Sequence, residues 1–179
     1  MRKLLFSMII MACAASFTFA QSDDYNKVDV YVGFSHARVD FGGDSEGFNG
    51  VEGAVTGNIS RYVGLKGDYA FHRKNFDFAT NVDIKARTHT FVGGVQFKDN
   101  SKETKVKPFA HLMAGFTAAR VSGFVSDSET GFAGVIGGGV DIKISPRVDF
   151  RAIQFDYNPT RLGGETQHNF RVGIGVVFR

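Results

Sequence analysis

Tryptophan is absent from this 179-residue sequence, cysteine occurs once and proline three times. The single cysteine, Cys13, excludes an intrachain disulfide and any multi-thiolate metal centre. Beyond residue 20 no stretch approaches the roughly 20 apolar residues that a membrane-spanning helix needs. Charge of one sign is also lacking: the formal net charge is +3, which makes no electrostatic case for nucleic acid. Neither an HExxH motif nor a recurring histidine spacing occurs, and Gly137-Gly138-Gly139 lacks the Lys-Ser/Thr of a phosphate loop, so no metal or cofactor is expected. What is abundant is phenylalanine (19) and glycine (22), with little leucine, a composition that favours strands over a helical bundle.

Residues Met1 to Ala20 read MRKLLFSMIIMACAASFTFA, with Arg2 and Lys3 ahead of an apolar stretch and small residues three and one positions before Gln21. This pattern predicts a secretory signal over 1–20 and a single exported domain over 21–179. Loss of the two cations with the signal would take the net charge from +3 to +1. The competing cut, before Cys13 in Ile10-Met11-Ala12-Cys13, would leave an acylated cysteine, but Met is a poor fit in a lipobox.

Alternation with period two predicts eight strands. The third has Leu65, Tyr69 and Phe71 on one side and Lys66, Asp68 and His72 on the other; the last, NFRVGIGVVFR, alternates Phe170, Val172, Ile174, Val176 and Phe178 with Arg171 and glycines. The first switches from Val30, Val32 and Phe34 to Ala37, Val39 and Phe41, which predicts a bulge or a loose exit. The seventh changes phase between Phe150 and Ile153, which predicts a bulge near Ala152, against a rival in which Arg147 and Arg151 snorkel at a membrane edge. A turn centred on Pro146 would set Ile144, Ile142 and Val140 opposite Val148, Phe150 and Ala152, and Lys143 and Asp141 opposite Asp149 and Arg151. Connections at one end read as short, and those at the other as long polar loops centred on Asp44, Asp77, Ser126 and Gly164.

That asymmetry belongs to an up-and-down transmembrane barrel, whose strands turn an apolar face to lipid and a polar face to the lumen. A soluble barrel gives the same alternation with the faces exchanged. YVGFSHARVD near the start, VGGVQF at 92–97, KPFAHLMAGF from Lys107 and GGETQHNFRVGIGVVFR at the end resemble the small bacterial outer-membrane barrels of the OmpA-like transmembrane-domain, OmpX and opacity families. The resemblance implies an all-β, eight-stranded antiparallel barrel in the outer membrane, in contact with its lipid and lipopolysaccharide. It also implies insertion by the outer-membrane assembly machinery, which in those families reads a C-terminal strand ending in an aromatic residue. Phe170 and Phe178 are the candidate signal, although Arg179 follows the last aromatic. The peptidoglycan-binding domain of the OmpA type is not expected.

On this reading Glu52, Lys66, Asp68, His111, Asp141, Lys143, Asp149, Arg151 and Arg171 form a charge network enclosed by the barrel. An eight-stranded barrel is barely wide enough for its own side chains, so these groups are expected first as one another's partners. The leading expectation for function is a structural or surface-contact role, with the barrel as anchor and the loops open to a surface ligand. A narrow pore, a lipid-modifying enzyme and a soluble ligand-binding barrel are the alternatives. No Ser, His and acid set can be placed on one face, and no catalytic residue is expected. Tyr31, Tyr62, Tyr69 and Tyr157 are candidates for the interfacial belts that tryptophan would otherwise supply.

Overall fold

A sheet with one apolar face must hide that face, and its edge strands must find partners for their free N–H and C=O groups; closure on itself removes both edges. A computed structural model of the chain describes residues 24–40, 45–78, 82–122, 127–162 and 164–179. Eight strands make a closed antiparallel barrel in sequence order: β1 (Val28–Asp40), β2 (Ser45–Asn58), β3 (Val63–Phe78), β4 (Val82–Lys98), β5 (Val106–Ser122), β6 (Asp127–Ser145), β7 (Val148–Leu162) and β8 (Glu165–Phe178). The seam joins β1 to β8, with Val30 opposite Phe178 and Arg38 opposite Phe170. Among the described residues there is no helix.

The apolar face is the outer one. Leu65 and Leu112 are each 58% exposed, Ile174 48% and Ile142 40%, whereas Lys66, Asp141 and Arg171 are at most 3% exposed. A soluble barrel would show the reverse. The wall stands so close in places that a side chain cannot enter: a Cβ on Gly94 would meet the Leu112 carbonyl of β5, and one on Gly115 the Phe91 carbonyl of β4.

Several boundaries differ from the sequence reading. The strands run 13 to 19 residues, well past the roughly 9 to 11 that cross a bilayer, so most of the polar segments expected as long loops are strand. The connections at that end shrink to 41–44, 79–81, 123–126 and 163–164, where Gly164 holds φ 87°. Polar composition signalled exposure to water there, and a protruding hairpin satisfies it as well as a loop does. Asp44, Ser126 and residues 1–20 lie outside the described residues, as does the side chain of Asp77.

β1 pairs with β2 without any register shift, so the expected bulge is absent and Ala37 turns inward, packed with Phe48, Ala86 and Val39. The seventh strand does bulge. Arg151 faces Gly175 of β8, but the next partner of Gly173 is Gln154, and Phe150 and Ile153 both point outward as a result. Of the expected β6–β7 pairs, Ile142–Phe150, Lys143–Asp149 and Asp141–Arg151 are present. Val140 faces Ile153 rather than Ala152, and Ser145 rather than Ile144 faces Val148, because the pairing shifts at both places. Tyr31 is not a belt residue: it is 2% exposed and lies inside. Tyr62 is exposed, and Tyr69 and Tyr157 lie in the wall against His89 and His168.

At the short-turn end, residues before β1 cross beneath the barrel. Tyr25 bridges to Ser101, the Asn26 amide donates to the Asn100 carbonyl (3.2 Å) and the Lys102 amide to the Asp24 carbonyl (3.2 Å). The turn they meet is organised by Asp99, which accepts hydrogen bonds from Arg61 Nε (3.0 Å), the Ser101 amide (3.1 Å) and Thr104 Oγ1 (2.9 Å). Arg61 above all, then the Ser101 amide and the Thr104 hydroxyl, pull the Asp99 carboxyl down to about 2. A depressed carboxylate stabilises above its unfolded value and loses that contribution as pH falls through the folded one. Hydrogen exchange at the Ser101 and Lys102 amides should therefore quicken between about pH 4 and about pH 2 in the wild type. Asp99→Asn should show fast exchange at all pH values; equal, pH-independent protection in both proteins would contradict this role.

The ion network inside the barrel

Alternation places every second side chain of each strand in the lumen, and the sequence puts ionisable groups at many of those positions. Arg171 of β8 is the hub. Its guanidinium reaches Asp156 Oδ2 at 2.7 Å, Asp68 Oδ1 at 3.3 Å and Glu52 Oε1 at 3.5 Å, joining β7, β3 and β2 across the interior. Lys66 lies 3.1 Å from Asp68 and 3.3 Å from His111 Nδ1. An ammonium can only donate, so Nδ1 of His111 accepts and the ring proton sits on Nε2, 2.8 Å from Asp156 Oδ1. Both ring nitrogens are thus engaged, which argues against His111 as a base or metal ligand.

Arg151 forms a second hub toward the short-turn end. It donates through Nε to Asp141 (2.8 Å) and through Nη1 to Gln154 (2.7 Å), and Gln154 in turn donates to Glu52 (2.8 Å) and Asp156 (2.7 Å), linking the two hubs. The guanidinium lies between the rings of Tyr31 and Phe109, 4.1 Å from each centroid. Stacking on both faces leaves the rim free for in-plane donation. Below it, Lys98 joins Asp29 (2.6 Å) to Asp141 (3.3 Å), and Asp149 receives Arg179 (2.7 Å) and Lys107 (3.6 Å).

The network therefore holds Asp29, Glu52, Asp68, Asp141, Asp149 and Asp156 against Lys66, Lys98, Lys107, Arg151, Arg171 and Arg179, with His111 between. Among the described residues six carboxylates thus meet six lysine and arginine side chains, so the two signs balance in number within the network. Toward the opposite mouth the lining becomes neutral, with Thr90 and Thr117 hydroxyls 3.1 Å apart and Asn169 donating to Thr160 (2.9 Å). It then becomes apolar around Ala37, Phe48 and Ala86. A cavity of about 370 Å³ opens there, and a smaller one of about 50 Å³ beneath it reaches His72 and Arg171, where the network begins.

Of the nine residues expected in the network, eight are at most 4% exposed and make up much of it. Lys143 is not among them: it is half-buried at the short-turn rim, where its ammonium donates to the Lys102 carbonyl. Asp149, its cross-strand partner, pairs instead with Arg179 and Lys107. Sequence reasoning left out Asp29, Lys98, Lys107, Gln154, Asp156 and Arg179. Strand parity was a usable signal for the first five: each directly follows an apolar residue of the opposite face, Asp29 after Val28, Lys98 after Phe97 and Asp156 after Phe155. Phe170 and Phe178 lie on the outer face of β8, 43% and 49% exposed, with Phe170 stacked on Phe155.

One buried pair outside the network has the look of chemistry. Ser35 Oγ lies 2.9 Å from His72 Nε2. Both residues are at most 4% exposed, and among the described residues no carboxylate hydrogen-bonds the other ring nitrogen, so the orienting partner of a nucleophile–base pair is missing. Among the described residues no cluster of three potential metal ligands occurs.

Comparison with known proteins agrees with this architecture. The family model described as outer membrane protein beta-barrel domain matches residues 6–178. No curated protein sequence matches the chain. Among solved structures, Ail, the attachment invasion locus protein of Yersinia pestis, in complex with the heparin analogue sucrose octasulfate, is 19% identical with a TM-score of 0.60 over 84% of this chain and 97% of that one. Neisserial surface protein A is 16% identical with a TM-score of 0.62 over 87% and 99%. OprG of Pseudomonas aeruginosa is 13% identical with a TM-score of 0.50 over 84% and 94%. At such identities the likeness is one of fold.

Proposed function

Because the chain belongs to the outer membrane protein beta-barrel domain family, we propose that it acts as an outer-membrane anchor whose protruding hairpin ends make contacts at the cell surface. The observation that carries this reading is the charge-balanced lumen. Within the network each ionised side chain stands against one of opposite sign, which leaves little for a permeating ion to exploit, and the work of the molecule is left to its outer end. On the same reading residues 1–20 are removed on export, 21–179 are the mature barrel, and Phe170 and Phe178 present the final strand to the assembly machinery. Catalysis is not part of it, since among the described residues no acid orients the Ser35–His72 pair. Ail, of similar fold, is seen with a heparin analogue, which supports a surface ligand held by the outer end here as well.

Intact cells treated with an external protease should yield cuts confined to 41–44, 79–81, 123–126 or 163–164. In planar bilayers the purified protein should show no discrete conductance steps. Protection of all four connections until the outer membrane is opened would defeat the surface-contact role, and steady steps abolished by Asp141→Asn would replace it with a pore.

A further inference from the structure

Strand register brings three arginines into one row on the outer wall. Arg73 of β3 is the direct partner of Arg87 of β4, and Arg87 is the direct partner of Arg120 of β5. All three are exposed. Direct partners point to the same side of a sheet, and neighbouring strands stand about 4.8 Å apart, so three guanidinium stems leave the wall within about 10 Å. Like charges directly opposite one another are destabilising. No ion pair joins any of the three to a described residue, and the strands flanking the row present neutral Asn49 and Ser128 as the next partners.

The row also has a definite height. Beneath it the same outer face is aromatic, with Tyr69 and Phe91 rings 4.5 Å apart and Phe91 and Phe116 rings 5.4 Å apart. On β4 ten residues separate Phe97, near the short-turn end, from Arg87. With a rise of about 3.4 Å per residue and a tilt of about 40°, that is about 26 Å, the height of the apolar band of a barrel wall. The arginines therefore stand where hydrocarbon gives way to headgroups on the outer side. At this end Glu46, Glu129 and Glu165 occupy positions of lumen-facing parity, opposite to that of the three arginines.

We propose that Arg73, Arg87 and Arg120 form a binding site for the phosphate groups of an anionic lipid headgroup in the outer leaflet. Guanidinium forks match phosphate oxygens bidentately, and a row of three suits a headgroup with more than one phosphate. Strand parity sets all three on the outer face at the lipid boundary, although Arg87 and Arg120 also border the cavity at the mouth, and a lipid rather than a soluble polyanion is the occupant. This site rests on the outer-membrane reading and gives it a lipid partner with named contacts.

The test uses the full barrel in phosphatidylcholine nanodiscs, with a bisphosphorylated lipid A or its dephosphorylated form added at low mole fraction and bound lipid counted by native mass spectrometry. The wild type should retain the phosphorylated form at least tenfold better. The variant Arg73→Gln/Arg87→Gln/Arg120→Gln should lose that preference, while Arg61→Gln/Arg147→Gln, which removes charge at the opposite end, should keep it. If the triple variant fails to give a heat-modifiable band, Arg87→Gln alone, which takes out the middle charge, should cut the preference severalfold. Equal retention of the two lipids by a wild type that inserts and is heat-modifiable would overturn the site and leave the barrel assignment standing. Displacement of the bound lipid by a sulfated sugar in solution, with no preference for phosphate in the lipid, would overturn it in favour of a soluble polyanion. A protein that never inserts would overturn both.

Discussion

Arg171→Ala should cost the folded barrel about 3–5 kcal/mol, the scale expected when one partner of a buried ion cluster is removed and the others stay charged. Glu52, Asp68 and Asp156 all turn toward this one guanidinium. Asp68 would keep Lys66, and Asp156 would keep His111, but Glu52 would be left with the amide of Gln154 alone. Reversible urea unfolding from vesicles reads the loss. Adding Glu52→Gln to Arg171→Ala should recover part of it, since the second change removes the stranded charge, so the two effects fall short of additive. A loss below about 1 kcal/mol would mean that water already solvates the cluster, and that the lumen is wet enough to conduct.

Leu112→Arg should cost about 2–4 kcal/mol in the same assay, while Val106→Arg, six residues along the same outward face, should cost about 0–1 kcal/mol. Both side chains are more than half exposed, Leu112 at 58% and Val106 at 56%. Water would treat the two positions alike. A bilayer does not, because Leu112 lies midway along the outward apolar run from Val106 to Ala118 while Val106 lies at its edge. Equal, small effects at the two sites would show that the apolar face meets solvent, and the membrane assignment of this wall would be wrong.

Most of the wall was legible in the sequence because period-two alternation encodes facing directly. Leu65 and Lys66, or Ile142 and Asp141, declare opposite sides whatever the neighbouring strands do. Even the bulge on β7 left a trace, since an inserted residue shifts every later side chain and Ile153 and Phe155 fall out of phase with Phe150. Depth and neighbourhood were less visible. Lys143 has the parity of the enclosed charges, but parity does not say how far along the strand the lumen extends, and at the rim a backbone carbonyl of the adjacent turn is the nearer acceptor. Ala37 and Val39 looked like a break in β1 because an apolar residue on the lumen face contradicts the rule for a water-facing interior. The contradiction dissolves once Phe48 and Ala86 arrive from other strands, which no single-strand pattern reveals. Arg179 was invisible for a related reason: it follows the last outward aromatic and has no successor to define its phase, yet its side chain is 1% exposed against Asp149.

Arg171 lies on β8 and Arg179 directly follows it, so both arrive with the strand that closes the sheet, while the carboxylates they neutralise sit on β1, β2, β3 and β7. Before that strand docks, the unfinished sheet carries an excess of negative charge on what will become its inside. Docking zips the backbone seam to β1 and discharges that excess in one motion. A chain truncated just before Asn169 would thus forfeit its seam and its electroneutrality together, and a nascent barrel stalled at seven strands should attract cations from its surroundings until the eighth displaces them.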